Sequence, residues 1–502
     1  MKDNEATLKE LNMKHEYGHV VTPDVLVDRM LDVLPMPTTK ETKETETLDM
    51  KWLDCGAGYG NITKRIIKRI QDQEKTNIAH EITMIEINPD CINQLHNTFP
   101  SQPKPNNNIA TKIIHQDFLT YDETEEFDII ISNPPYNCHG AIKTPTNTKL
   151  SKEKDGKACW RDFVKHAMHL LKLNGHAVFL IPLIWMRKDH HFGIYKLFMY
   201  ENTTHSIYCM NNTVTNKYFQ MKAQTPTCIV HVQKTKPNEI STPLLYDQFV
   251  NQWQKIPREI SDHETNYGLP TNSIQIHKRL QHFMKRNKRP SLLSSKRIKK
   301  TSMPYKNTKL QTHCDTCYPF KNMKTCKLNT KTHATKKQPT AIFEYSNTKT
   351  KYHTSIPKLI LAHKMFGLPF IDLSGTIGVT NADSYVIEST TQTSRSQQEL
   401  ELRGLQYYLS SPIAIFIYES MRYRMRFLEK EAFDYLPDIT KELLQIQKTT
   451  TTIHTHTEHE YEYEYEYTDL YDLFGFTKKE REIIGNFMKQ QHFEINLNDQ
   501  VL

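Results

Sequence analysis

The chain has 502 residues, 37% of them hydrophobic, and a formal net charge of +8, so it is long enough for two or three domains that each bury a core. No apolar run approaches the roughly 20 residues of a bilayer span, and the amino-terminal MKDNEATLKELNMKHE is charged and lacks a signal-peptide core, which excludes a membrane protein and predicts a soluble, intracellular one, cytoplasmic or nuclear according to host. Nine scattered cysteines fit a reducing compartment, and a mean hydropathy of −0.65 predicts long polar loops.

Between residues 50 and 185 short apolar runs alternate with helical patterns: MKWLDC then NITKRIIKRIQ, EITMIEI then PDCINQLHNTF, TKIIHQDF, FDIIISN, and FVKHAMHLLK before HAVFLIPLIW. This alternation predicts an α/β fold, a doubly wound parallel sheet. Ligands bind such sheets at the carboxyl ends of the strands. Those ends are Asp54–Gly60, Glu86, Asp117 with Phe118, and Asn133–Tyr136.

Beyond about residue 235 the alternation fades. A basic, polar segment runs from His277 to Pro339, after which KLILAHKMFG, LPFIDLSGTIGVTNADSYVIE and QYYLSSPIAIFIYESMRYRMRFL restore apolar patterning. The expected organisation is a catalytic domain over 1–235, a second domain over 236–445 interrupted by a basic insertion near 277–339, and a terminal piece over 446–502. That last piece holds the low-complexity tract HTHTEHEYEYEYEYTD, read as a linker, followed by a helical element.

In LDCGAGYGN, Gly56, Gly58 and Gly60 let the backbone approach a ligand and adopt positive φ. Asp54 stands before the first glycine and the final small residue of the dinucleotide pattern is missing, which favours S-adenosyl-L-methionine over a pyrophosphate ligand. Glu86 is placed to accept two ribose hydroxyls. Asp117 offers a carboxylate to an adenine amino group, and Phe118 a ring to lie against the base.

ISNPPYNC ends the fourth strand on a stiff turn that is poor in donors. The side-chain oxygen of Asn133 and the carbonyl of Pro134 can accept hydrogen bonds from an aromatic amino group and expose its lone pair to a methyl donor. Pro134 and Pro135 fix φ and supply no competing donor, while Tyr136 can stack on an extruded base.

GHVVTP, LDCGAGYG, MIEIN, HQDF and SNPPYN, in this order, resemble the amino-terminal half of gamma-class DNA adenine-N6 methyltransferases of restriction-modification type. The resemblance covers roughly residues 15–235. It implies a Rossmann-like seven-stranded methyltransferase sheet, a carboxyl-terminal α+β target-recognition domain, and a monomer acting on double-stranded DNA. It also implies cofactor contacts from Tyr17 and Thr22, and a base-sandwiching ring at Phe219. The large insertion and the Glu-Tyr tract depart from the family's pattern, and no endonuclease module is visible. Glutamine-N5 methyltransferases of release factors share SNPPY but lack GHVVTP and a large basic carboxyl-terminal region. An RNA adenine enzyme, or an inactive nucleic-acid-binding protein of the same fold, stays open.

Two further patterns stand outside this scheme. Cys314, Cys317, Cys326 and His333 have a spacing compatible with a small zinc site. KRNKRP (Lys285–Pro290) and KRIKK (Lys296–Lys300) are basic runs that can neutralise phosphates or serve nuclear targeting.

Overall fold

The computed structural model describes residues 20–35, 48–72, 78–99, 108–122, 126–138, 157–188, 193–220, 225–235, 241–261, 268–330, 337–363, 367–390, 394–425, 427–445, 468–491 and 497–502. The chain divides into two compact units, one of Met1–Thr265 with Tyr423–Met425 and one of Asn266–Arg422 with Arg426–Leu502. Tyr17, His333 and the Glu-Tyr repeat up to residue 467 lie outside the described residues. Among the described residues no helix is long and apolar enough to cross a membrane.

The first unit is built on a mostly parallel sheet with helices between its strands. Helix α1 (Asp24–Asp32) presents Leu26, Val27, Met30 and Leu31 as one buried stripe. It is followed by β1 (Leu48–Cys55), α2 (Asn61–Gln71), β2 (Ile78–Glu86), α3 (Pro89–Thr98), β3 (Ile109–His115) and β4 (Phe127–Ser132). Next come α4 (Trp160–Leu170), β5 (Leu171–Pro182), α5 (Ile194–Met199), β6 (Thr203–Met210), α6 (Asn212–Tyr218), β7 (Thr227–Gln233), β8 (Leu244–Asp247) and β9 (Gln252–Lys255).

The sheet order is β9-β8-β6-β7-β5-β4-β1-β2-β3. Strands β1 to β5 run parallel, and β7 is inserted antiparallel between β5 and β6. This is the Rossmann-like methyltransferase sheet with two strands beyond the expected seven. LLYD and QWQK form an antiparallel hairpin whose first strand pairs with β6, so the sheet continues past residue 235.

The apolar runs explain the centre of this sheet. Phe127, Ile129, Ile130 and Ile131 of β4 are all at most 2% exposed, as expected of a parallel strand covered on both faces. Helix α3 starts where Asn88 accepts from the Asp90 amide at 2.9 Å and Pro89 occupies the first turn, a favoured helix entry. Ser132 Oγ donates to the carbonyl of Cys55 at 2.7 Å and ties the end of β4 to the end of β1.

The second unit is mixed α and β. It contains α7 (Ile274–Arg286), a hairpin of β10 (Phe320–Thr330) and β11 (Lys337–Ser346), and a sheet in which β12 (Lys358–Leu361) lies between β13 (Pro369–Asp372) and β14 (Tyr385–Glu388). Helices α8 (Arg395–Leu409), α9 (Pro412–Ser420) and α10 (Lys478–Lys489) follow. The segment expected as a basic insertion near 277–339 thus contains a helix that ends at Arg286 and the strand Phe320–Thr330. Its helix buries Ile276, His277, Leu280, Phe283 and Met284, a helical stripe that the lysines and arginines on the outer face obscure in the sequence.

Much of the basic run is also spent inside this unit. Arg289 pairs with Glu442 and Arg297 with the buried Glu401, while Lys299 and Lys300 face Glu388 and Asp383. Lys285, Arg286, Lys288 and Lys296 remain exposed.

His277 is fully buried, with Nδ1 3.0 Å from the Ser273 carbonyl, Nε2 2.9 Å from the Ser420 hydroxyl and Tyr435 edge-on at 4.7 Å. Burial pulls its pKa down from 6.5 to about 4, so the folded state holds it neutral. Its contribution is complete above pH 6.5 and is lost as the pH falls toward 4. Denaturant melts of the full chain should lose up to about 3 kcal/mol from this group across that window, and His277→Gln should show a shallower pH dependence.

Candidate active site

The ends of β1 to β4 and the strand-like segment before α1 converge at one edge of the sheet. Gly56, Gly58 and Gly60 have φ of 80°, 55° and 77°, which requires glycine for an unstrained turn. A Cβ built on Gly60 would stand 2.5 Å from the ring of Phe99, and one on Gly56 3.8 Å from Cδ of Pro135. The glycine turn therefore lies directly against the Asn-Pro-Pro-Tyr turn.

Glu86 holds this turn in shape. Its Oε2 accepts from the Gly58 amide at 2.7 Å, and its Oε1 accepts from the amides of Ile87 and Asn88 at 2.9 and 2.8 Å. Asp54 is wholly buried and accepts from Thr63 Oγ1 at 2.9 Å through Oδ2. Its other oxygen is buried with no hydrogen-bond partner. Burial, reinforced by the nearby negative charge of Glu86, pushes the Asp54 carboxyl up to about 7. A buried acceptor without a partner beside an open glycine turn suits a ligand that carries an amino group.

Asp117 follows β3 and caps the short 3-10 turn Phe118–Thr120 by accepting from the Leu119 amide at 3.0 Å. Phe118 is 2% exposed, with its ring 5.1 Å from Phe163 and 4.8 Å, edge-on, from His166. It is a packed wall residue, fixed by α4.

At Asn133 the geometry is most informative. Its Nδ2 donates to Thr22 Oγ1 at 3.0 Å and reaches the Val20 carbonyl at 3.4 Å. The Thr22 carbonyl in turn accepts from Asn61 Nδ2 at 3.4 Å. With the amide nitrogen engaged by two acceptors, the orientation of the group is set by its network, and Oδ1 is left as the group's acceptor. Thr22, expected as a cofactor contact, is thus bonded to the tetrapeptide itself.

Tyr136 is held at its far end, the hydroxyl donating to the Leu180 carbonyl of β5 at 3.3 Å. Cys159 secures the following turn, its thiol 3.2 Å from the Pro135 carbonyl and its amide donating to the Tyr136 carbonyl at 3.3 Å. Val20, Asn61, Ser132 and Cys159 were not expected from the sequence. Each acts through a backbone group or a long-range contact, which leaves no local pattern.

Two further groups expected from the sequence are taken up in packing. Phe219 ends α6 at 4% exposure and belongs to the core cluster that contains Leu26, Met30, Tyr208 and Ile229, so its ring serves the core, and meeting an extruded base would take it out of that packing. Cys314 and Cys317 sit exposed near a tight turn closed by Asp315, whereas Cys326 lies 3% exposed in the β10 strand with Met323 and Ile360 in its cluster. Burial in a strand core separates Cys326 from the exposed pair, and among the described residues these thiols form no metal cluster.

The mostly parallel sheet, with the glycine turn and the Asn-Pro-Pro-Tyr turn together at the carboxyl ends of its strands, has the class I methyltransferase fold. Residues 40–214 match the model of the Eco57I restriction-modification methylase family. The chain is also similar to the tRNA1(Val) (adenine(37)-N6)-methyltransferase of Aliivibrio fischeri (strain MJ11), 28% identical over 131 residues, 26% of this chain and 51% of that protein. It thus spans about half the length of the curated relatives it matches. Among solved structures, a type I restriction-modification methyltransferase subunit from Streptococcus thermophilus is 18% identical with a TM-score of 0.32, covering 46% of this chain and 49% of that one. The type IIG restriction endonuclease BpuSI is 12% identical with a TM-score of 0.39, covering 86% and 61%.

Glu86→Ala removes the acceptor of three backbone amides. The full chain should lose about 2–4 kcal/mol of stability in urea melts, whereas an unchanged melt would show that the turn does not depend on this carboxylate.

Proposed function

We propose that this chain is an S-adenosylmethionine-dependent adenine-N6 methyltransferase acting on double-stranded DNA. The observation that carries the reading is the Asn133 amide, whose nitrogen is held by Thr22 and Val20, which supports its oxygen as the acceptor for a substrate amino group. The cofactor, when bound, supplies an electrophilic methyl group on a sulfonium.

The glycine turn would receive the cofactor's amino acid end, with the unpartnered oxygen of Asp54 as an acceptor for its amino group and Tyr17 as a further contact. Glu86 keeps one lone pair, on Oε2, for a ribose hydroxyl beyond those given to the backbone, and the second oxygen of Asp117 is available to the adenine amino group. Phe118 forms a wall of that pocket.

The exocyclic amine of adenine is a weak nucleophile because its lone pair is delocalised. Asn133 Oδ1 and the Pro134 carbonyl accept its two hydrogens and draw the nitrogen toward tetrahedral geometry, a preorganised electrostatic contribution. Holding acceptor and donor in line can supply a further ~7–11 kcal/mol. Tyr136, braced through its hydroxyl, offers a stacking face worth about 1–3 kcal/mol. The base must first leave the duplex, at a cost of a few kcal/mol. The proton departs from the methylated amine to solvent after transfer, so no side-chain base is needed beforehand.

Duplex DNA is favoured over RNA by the restriction-modification family of residues 40–214 and by a second unit with exposed Lys285, Arg286, Lys288 and Lys296, which we assign to target recognition. The adenine-N6 tRNA enzymes among the relatives favour RNA as the second reading, with the same amino group and the same turn.

Incubation with S-adenosylmethionine and, in parallel, duplex DNA, tRNA and release factor, followed by mass spectrometry of nucleosides and peptides, separates these readings. The expected product is N6-methyladenine in DNA. Asn133→Ala should lower its formation by about 10²–10³-fold while cofactor affinity stays within a few-fold. Methylation confined to tRNA or to a protein glutamine would overturn the DNA assignment.

A further inference from the structure

Three adjacent strands of the first unit's sheet, β5, β7 and β6, each contribute one histidine to a single cluster remote in sequence from the methyltransferase motifs. His176, His231 and His205 bring ring nitrogens within 4.8 Å of one another. His176 Nδ1 and His231 Nε2 are 2.9 Å apart, and the rings of His205 and His231 stack at 4.8 Å.

The register explains the gathering. His176 lies beside Gln233, His231 beside Val178 and Ser206, and the bulge between Thr204 and Ser206 turns His205 toward the same group. His176 pairs with Ile129 of β4, toward the amino-terminal ends of the parallel strands and away from Asn133. The imidazoles line an open cleft of about 790 Å³ whose wall includes Asp32, Leu34, Ser206 and Lys255.

A satisfied pair of core histidines needs one partner each. Here a third ring is stacked in, and its outer nitrogen is already used, His205 Nε2 donating to Gln233 Oε1 at 2.9 Å. That bond fixes the tautomer and leaves Nδ1 of His205 as a lone-pair donor, the way a supporting side chain orients a metal-binding imidazole. We propose that His176, His205 and His231 bind one divalent transition-metal ion, Zn²⁺ or a neighbour in the series, with a further coordination position open to the cleft.

The chemistry narrows the ion. Three neutral nitrogen donors without a thiolate or a carboxylate suit zinc, nickel or copper and do not suit magnesium or calcium. Binding displaces the proton shared by His176 and His231, which moves to the other ring nitrogen of the imidazole that carried it, so all three donors stay neutral. The ion would bridge three strands and draw the sheet together near the edge where β8 and β9 are added. This inference is independent of the substrate assignment above.

Titration of the full-length protein with Co²⁺, read by visible d–d absorption, tests it. The expected result is one tetrahedral-type Co²⁺ per chain, displaced by Zn²⁺, with affinity at least tenfold weaker in both His205→Gln and His231→Gln. His313→Gln and Cys314→Ser, in the second unit, should bind as the parent does. Because His231 is buried, His205→Gln at the bulge is the deciding variant, with circular dichroism confirming its fold. Absence of saturable uptake, uptake unchanged in His205→Gln, or uptake lost in Cys314→Ser would overturn the proposal.

Discussion

The hydrogen bond from Asn133 Nδ2 to Thr22 Oγ1 is the contact on which the functional reading rests. An asparagine amide can present either its donor or its acceptor to a substrate, and the two choices have opposite chemistry. By engaging the donor, Thr22 and the Val20 carbonyl commit the acceptor. The contact exists only because the segment before α1 crosses the end of β4, and that crossing is secured by the apolar stripe of α1 packed into the same core as β4 and β5. Core packing is thereby converted into the orientation of one side-chain oxygen.

A second constraint is the crowding of acids at the glycine turn. Asp54 and Glu86 are both nearly inaccessible to solvent, and two carboxylates so placed repel. The sheet satisfies Glu86 with three backbone amides, while burial first and the charge of Glu86 second raise the pKa of Asp54. The arrangement is costly without a ligand and fits one that brings donors or positive charge, consistent with a sulfonium cofactor carrying an amino group.

The parallel core was legible in the sequence because continuous apolar runs such as FDIII and the glycine-rich LDCGAGYGN impose their structure locally. Glu86 and Asn133 fell at strand ends for the same reason. What escaped the sequence depends on long-range register. The pairing of Thr22 with Asn133 spans more than a hundred positions, and the clustering of His176, His205 and His231 needs the antiparallel insertion of β7 and a bulge in β6. Phe219 and Cys326 illustrate the converse: the family resemblance pointed to one and the cysteine spacing to the other, yet each is apolar enough to be claimed by a core. The basic stretch after residue 277 hid a helix because its outer face dominates its composition.

The Asn133–Thr22 hydrogen bond makes Thr22 an orienting residue, whereas family resemblance makes it a contact of the cofactor, and these roles part company in kinetics. Single-turnover methyl transfer by Thr22→Val, which keeps the shape and removes the hydroxyl, is the most direct test, with Thr22→Ser as the rescue. The expected methyl-transfer rate is about 10–100-fold slower, the loss of a hydrogen bond worth about one to three kcal/mol, with cofactor affinity nearly unchanged and the rate restored by serine. A normal single-turnover rate together with weakened cofactor binding would contradict it.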